Sequence, residues 1–131
     1  RPEPAPPPAL LLFAHGSRDP AWRVPLERVR QRIATQYSGR CVLAFLEFMQ
    51  PELADALQAL AQAGDRSIVI VPLFWASGNH IQADMSQAVA EFMQIHPNID
   101  VHVATTLGGD QIVQTALANY ALRCATNAPK L

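Results

Sequence analysis

The sequence predicts an α/β fold: a three-layer αβα sandwich around a four-stranded parallel sheet, strand order 2-1-3-4. Two observations predict it. Four short apolar runs are each bounded by loop signals, and helical stripes separate them. The order is βαβαβαβα, which calls for parallel pairing through right-handed crossovers, with helices on both faces. The length of 131 residues is that of one domain with one core. Hydrophobic residues at 50% against 16% charged suit a folded globular chain rather than a disordered one.

Each element has its own reason. Arg1–Pro8 holds five of the eleven prolines and is expected to be an extended, disordered tail. The folded domain is expected over residues 9–125, with 126–131 as a second tail. Ala9–Ala14 (ALLLFA) is an unbroken apolar run, the pattern of a strand buried on both faces. Residues 16–24 are expected to be loop, and Pro25 then suits the first turn of a helix striped by Leu26, Val29 and Ile33. Cys41–Leu46 (CVLAFL) is the second strand. Pro51-Glu52 opens a helix with Leu53, Ala56, Leu57 and Leu60 on one face, and Gly64 caps it. Ser67–Val71 (SIVIV) is the third strand, stopped by Pro72. Ile81, Met85, Ala88, Phe92 and Ile95 stripe a third helix that Pro97 ends. Asp100–Ala104 is the last strand. Asp110 is placed to cap a final helix carrying Ile112, Ala116, Leu117 and Tyr120.

Composition excludes several roles. A formal net charge of −1 is not that of a phosphate-reading nucleic-acid binder. The apolar runs are too short to span a membrane, which needs roughly 20 residues. Two cysteines are too few for a disulfide scaffold or a thiolate zinc site and suit a reducing, cytoplasmic setting. Gly108-Gly109 before a helix is half of a phosphate cradle, but the full glycine-rich patterns are missing, so no nucleotide cofactor is expected.

In open parallel sheets, ligands bind beyond the carboxyl ends of the strands. The residues there are His15-Gly16-Ser17-Arg18 after the first strand, Glu47 after the second and Gly78-Asn79-His80 after the third. Two imidazoles and a carboxylate with open positions can hold Co²⁺, Ni²⁺ or Fe²⁺, and a neutral imidazole also accepts a proton near pH 7. The plainer readings are a loop-bonding histidine, a solvated glutamate and a helix-terminal histidine. His102, in mid-strand, reads as structural, and His96, before Pro97, as solvent-facing. Phe74 and Trp75 are candidates to line a pocket, although aromatic residues near a sheet edge more often belong to the core.

Leu-Phe-Ala-His-Gly-Ser-Arg, Phe-Leu-Glu…Pro and Val-Pro-Leu-Phe…Gly-Asn-His…Asp together resemble the sirohydrochlorin cobaltochelatase family, a class II chelatase group. The likeness covers about residues 9–124. It implies a chelatase that places a divalent metal, with Co²⁺ first and Ni²⁺ or Fe²⁺ open, into sirohydrochlorin or a related tetrapyrrole. It implies His15, His80 and Glu47 as catalytic and metal-handling residues, with Asp84 orienting His80. Ser17 and Arg18 would receive substrate carboxylates. The chain resembles the family's short form, which implies a homodimer. Asn79 departs from the more usual glycine before the second histidine. Two rival readings are a non-enzymatic metal-delivery protein, which needs the same ligands, and a histidine phosphatase. The latter lacks its phosphate-binding arginine, because Ala14 stands there.

Overall fold

The computed structural model describes residues 5–128. Strands β1 (Ala9–Ala14), β2 (Cys41–Phe45), β3 (Ser67–Pro72) and β4 (Asp100–Val103) form one sheet in the order β2-β1-β3-β4. All three pairings are parallel, with Leu10 opposite Cys41, Leu10 opposite Val69, and Val69 opposite His102. The predicted sheet is the observed one. Helices α1 (Arg23–Ala34), α2 (Leu53–Gln62), α3 (Asn79–Ile95) and α4 (Gln111–Asn127) follow the strands in turn.

The chain reverses direction across the sheet after β2, so α1 lies on one face and α2 with α3 on the other. The larger core fills the α2–α3 face. Leu11, Phe13, Ala44, Ile68 and Ile70 meet Leu53, Leu57 and Leu60 of α2 and Met85 and Phe92 of α3 there. On the opposite face, Leu12, Cys41, Leu43 and Phe45 pack under Leu26 and Ile33 of α1. Alternation along each strand sorts its side chains between these two cores.

Several expectations change at this point. Residues 16–24 are not all loop: Pro20–Trp22 form a single 3-10 turn, and α1 begins at Arg23. The Asp19 carboxylate caps the turn by accepting from Ala21 N at 3.0 Å. Val29 is exposed, because the packed line of α1 runs through Leu26 and Ile33, and Val29 falls on its flank. Pro51 and Glu52 precede α2 rather than open it, and Glu52 is its extended N-cap. Gly64 does take the left-handed conformation, at φ 98°. β2 ends one residue early, at Phe45, and β3 runs one residue further, through Pro72. β4 ends at Val103, so Ala104 lies outside it. Ile95 leaves the α3 stripe and is exposed.

His102 is exposed and not a buried structural residue, since Val101 and Val103 are the β4 side chains that reach the core. His96 is half-buried: its Nε2 lies 2.9 Å from Gln58 Oε1 and its ring is 4.7 Å from that of Phe92. Asp110 caps α4 as expected, its Oδ1 accepting from Ile112 N at 2.8 Å and Val113 N at 3.1 Å. The stripe it was expected to bury is exposed, and α4 reaches Asn127, past the expected boundary at 125. The expected disorder of Arg1–Pro8 falls partly outside the described residues; Pro8 itself is tied down, its carbonyl accepting from Tyr37 Oη at 2.6 Å.

Candidate functional site at the carboxyl rim

The rim is built by backbone that continues the sheet past its strands. Leu46 N donates to Ala14 O at 2.8 Å, and Leu73 N donates to Phe13 O at 2.7 Å. These bonds hold the segments after β1, β2 and β3 side by side. Next along the chain stand His15 and Glu47. His15 Nδ1 lies 3.0 Å from Glu47 Oε1. The ring also meets Phe74 edge-on, with centroids 4.8 Å apart. Trp22 Nε1 donates to the His15 carbonyl at 2.7 Å.

Two consequences follow for His15. With Nδ1 turned to the carboxylate, that nitrogen carries the proton, and Nε2 is left as the lone-pair nitrogen. A histidine held so by a carboxylate is the usual arrangement behind an imidazole that meets a metal ion. Glu47 itself is half satisfied. Its Oε2 is buried and has no hydrogen-bond partner. A buried carboxylate oxygen without a donor is costly, and a bound cation or proton relieves that cost.

Gly16 explains how the two residues come so close. A Cβ at position 16 would lie 1.8 Å from the Glu47 carbonyl oxygen. Only a residue without one lets the two loops meet. Beyond Glu47, Phe48 adopts φ 66°, a left-handed conformation uncommon outside glycine. Its exposed ring lies under Arg18, with the guanidinium 4.9 Å from the centroid.

His15 opens into an apolar pocket of about 390 Å³ walled by Trp22, Leu26, Leu73, Phe74 and Trp75. Phe74 is buried in the core and Trp75 is half exposed, and both line this pocket, the alternative the sequence left open for them. A second cavity, of about 300 Å³, lies under Ser17, Arg18, Arg23 and Phe48. The Ser17 hydroxyl is engaged locally, accepting from Asp19 N at 3.0 Å.

His80 stands apart from the pair. It is exposed, second residue of α3, and among the described residues no three His, Cys, Asp or Glu side chains gather as a metal cage. Asp84 does not bond His80; it lines a separate pocket with Glu52, Phe13 and Met85. Gly108-Gly109 is not a phosphate cradle either. It forms a 3-10 turn, Leu107–Gly109, and a Cβ on Gly108 would lie 2.5 Å from the Trp75 carbonyl oxygen. Trp22 was not foreseen as a site residue, because it sits in a segment read as loop. The Asp19-Pro20 pair, a capping residue before a helix-starting proline, was the signal for that turn.

The CbiX family model matches residues 9–123. The chain belongs to the CbiX family. This CbiX chain is 29% identical over 114 residues to a sirohydrochlorin cobaltochelatase of Saccharolobus islandicus, covering 82% of this chain and 88% of that one. It is 28% identical over 109 residues to the sirohydrochlorin cobaltochelatase of Sulfurisphaera tokodaii, covering 82% and 86%. Among solved structures, it resembles a CbiX protein of cobalamin biosynthesis from Marinobacter aquaeolei at a TM-score of 0.80 and 21% identity, over 93% of this chain and all of that one. The sirohydrochlorin chelatase SirB of Bacillus subtilis subspecies spizizenii, solved with cobalt, matches at 0.74 and 22% identity. There the CbiX chain covers 88% of itself and half of SirB. At these identities the structural matches carry the fold.

Proposed function

We propose that the chain is a chelatase that inserts a divalent metal ion, Co²⁺ foremost, into sirohydrochlorin or a related tetrapyrrole, as in the making of cobalamin- or siroheme-type products. Family membership and the names of its relatives support the reaction. The observation that carries the site is the His15–Glu47 pair at the mouth of an apolar pocket.

Insertion exchanges two pyrrole N–H protons for one ion. The protein must hold the incoming ion loosely, shield the ring from water and accept protons. His15 Nε2 meets the first and third needs. The apolar walls from Trp22, Leu26, Phe74 and Trp75 meet the second. Glu47 acts through His15, holding the ring by Nδ1 and balancing the positive charge that gathers at Nε2, whether as ion or as proton. It is thereby a positioning carboxylate rather than a third ligand, and Oε2 remains able to take up a proton. His80, opening α3 beyond the Trp75-Ala76 wall, is assigned the second ion-handling imidazole. Arg18 and Ser17, over the neighbouring cavity, are assigned to the carboxylates of the tetrapyrrole.

A flat macrocycle needs two walls to exclude water, and one copy supplies one, so the working unit is proposed to be a homodimer. No described helix is long and apolar enough to cross a membrane. Both cysteines are unpaired, which supports a reducing cytoplasmic setting.

The test is anaerobic incubation with sirohydrochlorin and Co²⁺, Ni²⁺ or Fe²⁺ in turn, followed by absorbance. Wild-type protein should raise the Co²⁺ rate well above the uncatalysed one. His15→Ala and His80→Ala should each lose most of that gain, and Glu47→Ala less. Binding of Co²⁺ with no acceleration for any metal would favour metal delivery instead. Full activity in His15→Ala would misplace the site.

A further inference from the structure

Phe48 is the one non-glycine among the described residues with positive φ, at 66°. Met49 N donates to Glu47 O at 2.8 Å, so the backbone closes a three-residue turn around it. That γ-type turn is rare, and strained for so large a side chain. Packing does not offset the strain, because the Phe48 ring is 61% exposed. A glycine would fit the turn and leave no apolar ring in water. A strained residue that the fold does not need points to a use. The ring lies under Arg18, whose guanidinium is 4.9 Å from its centroid.

A second arginine repeats the arrangement. The Arg23 guanidinium lies 4.7 Å from the ring centroid of Phe45. It reaches from the start of α1 to donate to the Gln50 carbonyl, and its Nε is buried without an acceptor. Among the described residues neither Arg18 nor Arg23 is ion-paired. Both line the cavity of about 300 Å³ beside the His15 pocket, and no Asp or Glu does. Two uncompensated cations on one cavity suit an anionic ligand. A guanidinium laid flat on a ring keeps its N–H edge free to fork a carboxylate.

We infer, on the chelatase reading above, that this cavity takes two neighbouring carboxylates from one pyrrole of the tetrapyrrole, Arg18 holding one and Arg23 the other. Sirohydrochlorin carries an acetate and a propionate side by side on each pyrrole, so paired cations read a paired acid. Phe48 is a positioning residue, acting through Arg18. The layout ties this receiver to the reaction. His15 and Arg18 follow β1, Glu47 and Phe48 follow β2, and they meet as two rungs, His15 with Glu47 and Arg18 with Phe48. A carboxylate seated on Arg18 therefore anchors the ring at a fixed offset from the imidazole that handles the ion.

The test is anaerobic titration of metal-free rings into the whole chain, read by quenching of indole emission. Sirohydrochlorin has paired acids, whereas coproporphyrin has a single propionate on each pyrrole. Wild type should bind sirohydrochlorin about tenfold more tightly than coproporphyrin. Arg23→Gln should lose most of that preference, whereas a merely structural arginine would weaken both rings alike. Phe48→Gly should weaken sirohydrochlorin about fivefold yet melt no lower than wild type, since glycine relieves the turn. Phe48→Tyr should bind as wild type does. In an Arg18→Gln chain, Phe48→Gly should add less than about twofold, because the guanidinium it positions is gone. Wild type that leaves sirohydrochlorin unbound would overturn the chelatase reading, and the receiver with it. If wild type binds but shows no preference, or Arg23→Gln keeps the preference, the paired receiver alone is wrong. It is equally wrong if Phe48→Gly binds at full strength, melts well below wild type, or weakens both backgrounds alike.

Discussion

Replacing Gly16 with alanine puts one carbon where the structure has no room. The new Cβ would stand 1.8 Å from Glu47 O, 3.0 Å from Glu47 C and 3.3 Å from Met49 N. All three are backbone atoms, so no side chain can swing away. Reaching even 3.0 Å from the oxygen requires the two loops to part by about 1.2 Å. The His15–Glu47 contact, now 3.0 Å, has little slack before it leaves hydrogen-bond range near 3.5 Å. Overpacking of this kind costs about 2–3 kcal/mol. For a chain of this length each kcal/mol is worth roughly 4–5 °C, so melting should fall by roughly 8–15 °C. Gly78 is the control, because a Cβ there meets nothing within 4 Å and its φ of −73° suits any residue. Gly78→Ala, at the N-cap of α3, should lose only the roughly 2–4 °C that a poorer cap costs, well short of the Gly16→Ala loss. Thermal denaturation by circular dichroism, with ¹H–¹³C spectra of the His15 ring, reads both effects. If Gly16→Ala melts with wild type and leaves the His15 resonances in place, the two loops are not in the contact described.

Burial pushes the Cys41 thiol up from its ordinary range, outweighing the opposing pull of Arg30. At pH 8 it should therefore hold less thiolate and react with iodoacetamide far more slowly in the native chain than in urea; equal rates would contradict its burial. Asp110→Ala removes the acceptor for two backbone N–H groups at the start of α4. It should cost about 1 kcal/mol, visible as lost helical signal and a lower melt, whereas Asp110→Asn should recover most of it.

The sheet was legible because each strand is an uninterrupted apolar run and each connection carries a helical stripe. Those patterns state that a segment has an apolar side, and a sheet buried on both faces leaves little choice of pairing. They do not state what covers a helix. Val29 and Ile112 both fit a stripe and both are exposed, for different reasons: one lies beside the packed line, the other on a helix with no surface beneath it. His15 and Glu47 were readable from their places after β1 and β2, and the structure brings them together. Their relation was not, because no pattern shows that Nδ1 faces the carboxylate. Nor does a pattern show that Gly16 exists to let Glu47 approach. Asp84 was read by helical spacing from His80, but a one-turn offset permits contact without requiring it. His102 was misread because alternation with Val101 and Val103 settles which face it takes, not whether that face is covered.

The chain has two tryptophans, Trp22 and Trp75, and both line the His15 pocket. One reaches it from the turn before α1, the other from the segment after β3. Indole emission from this chain therefore has no background source elsewhere in the fold. A paramagnetic ion beside His15, or a coloured macrocycle against the apolar walls, would quench the whole signal rather than a fraction of it. The two rings differ in one respect: Trp22 already has its indole N–H bonded to the His15 carbonyl. A Trp75→Phe chain would thus emit from the ring tied to His15, and a Trp22→Phe chain from the opposite wall. The pocket can be watched filling from either side without adding a dye.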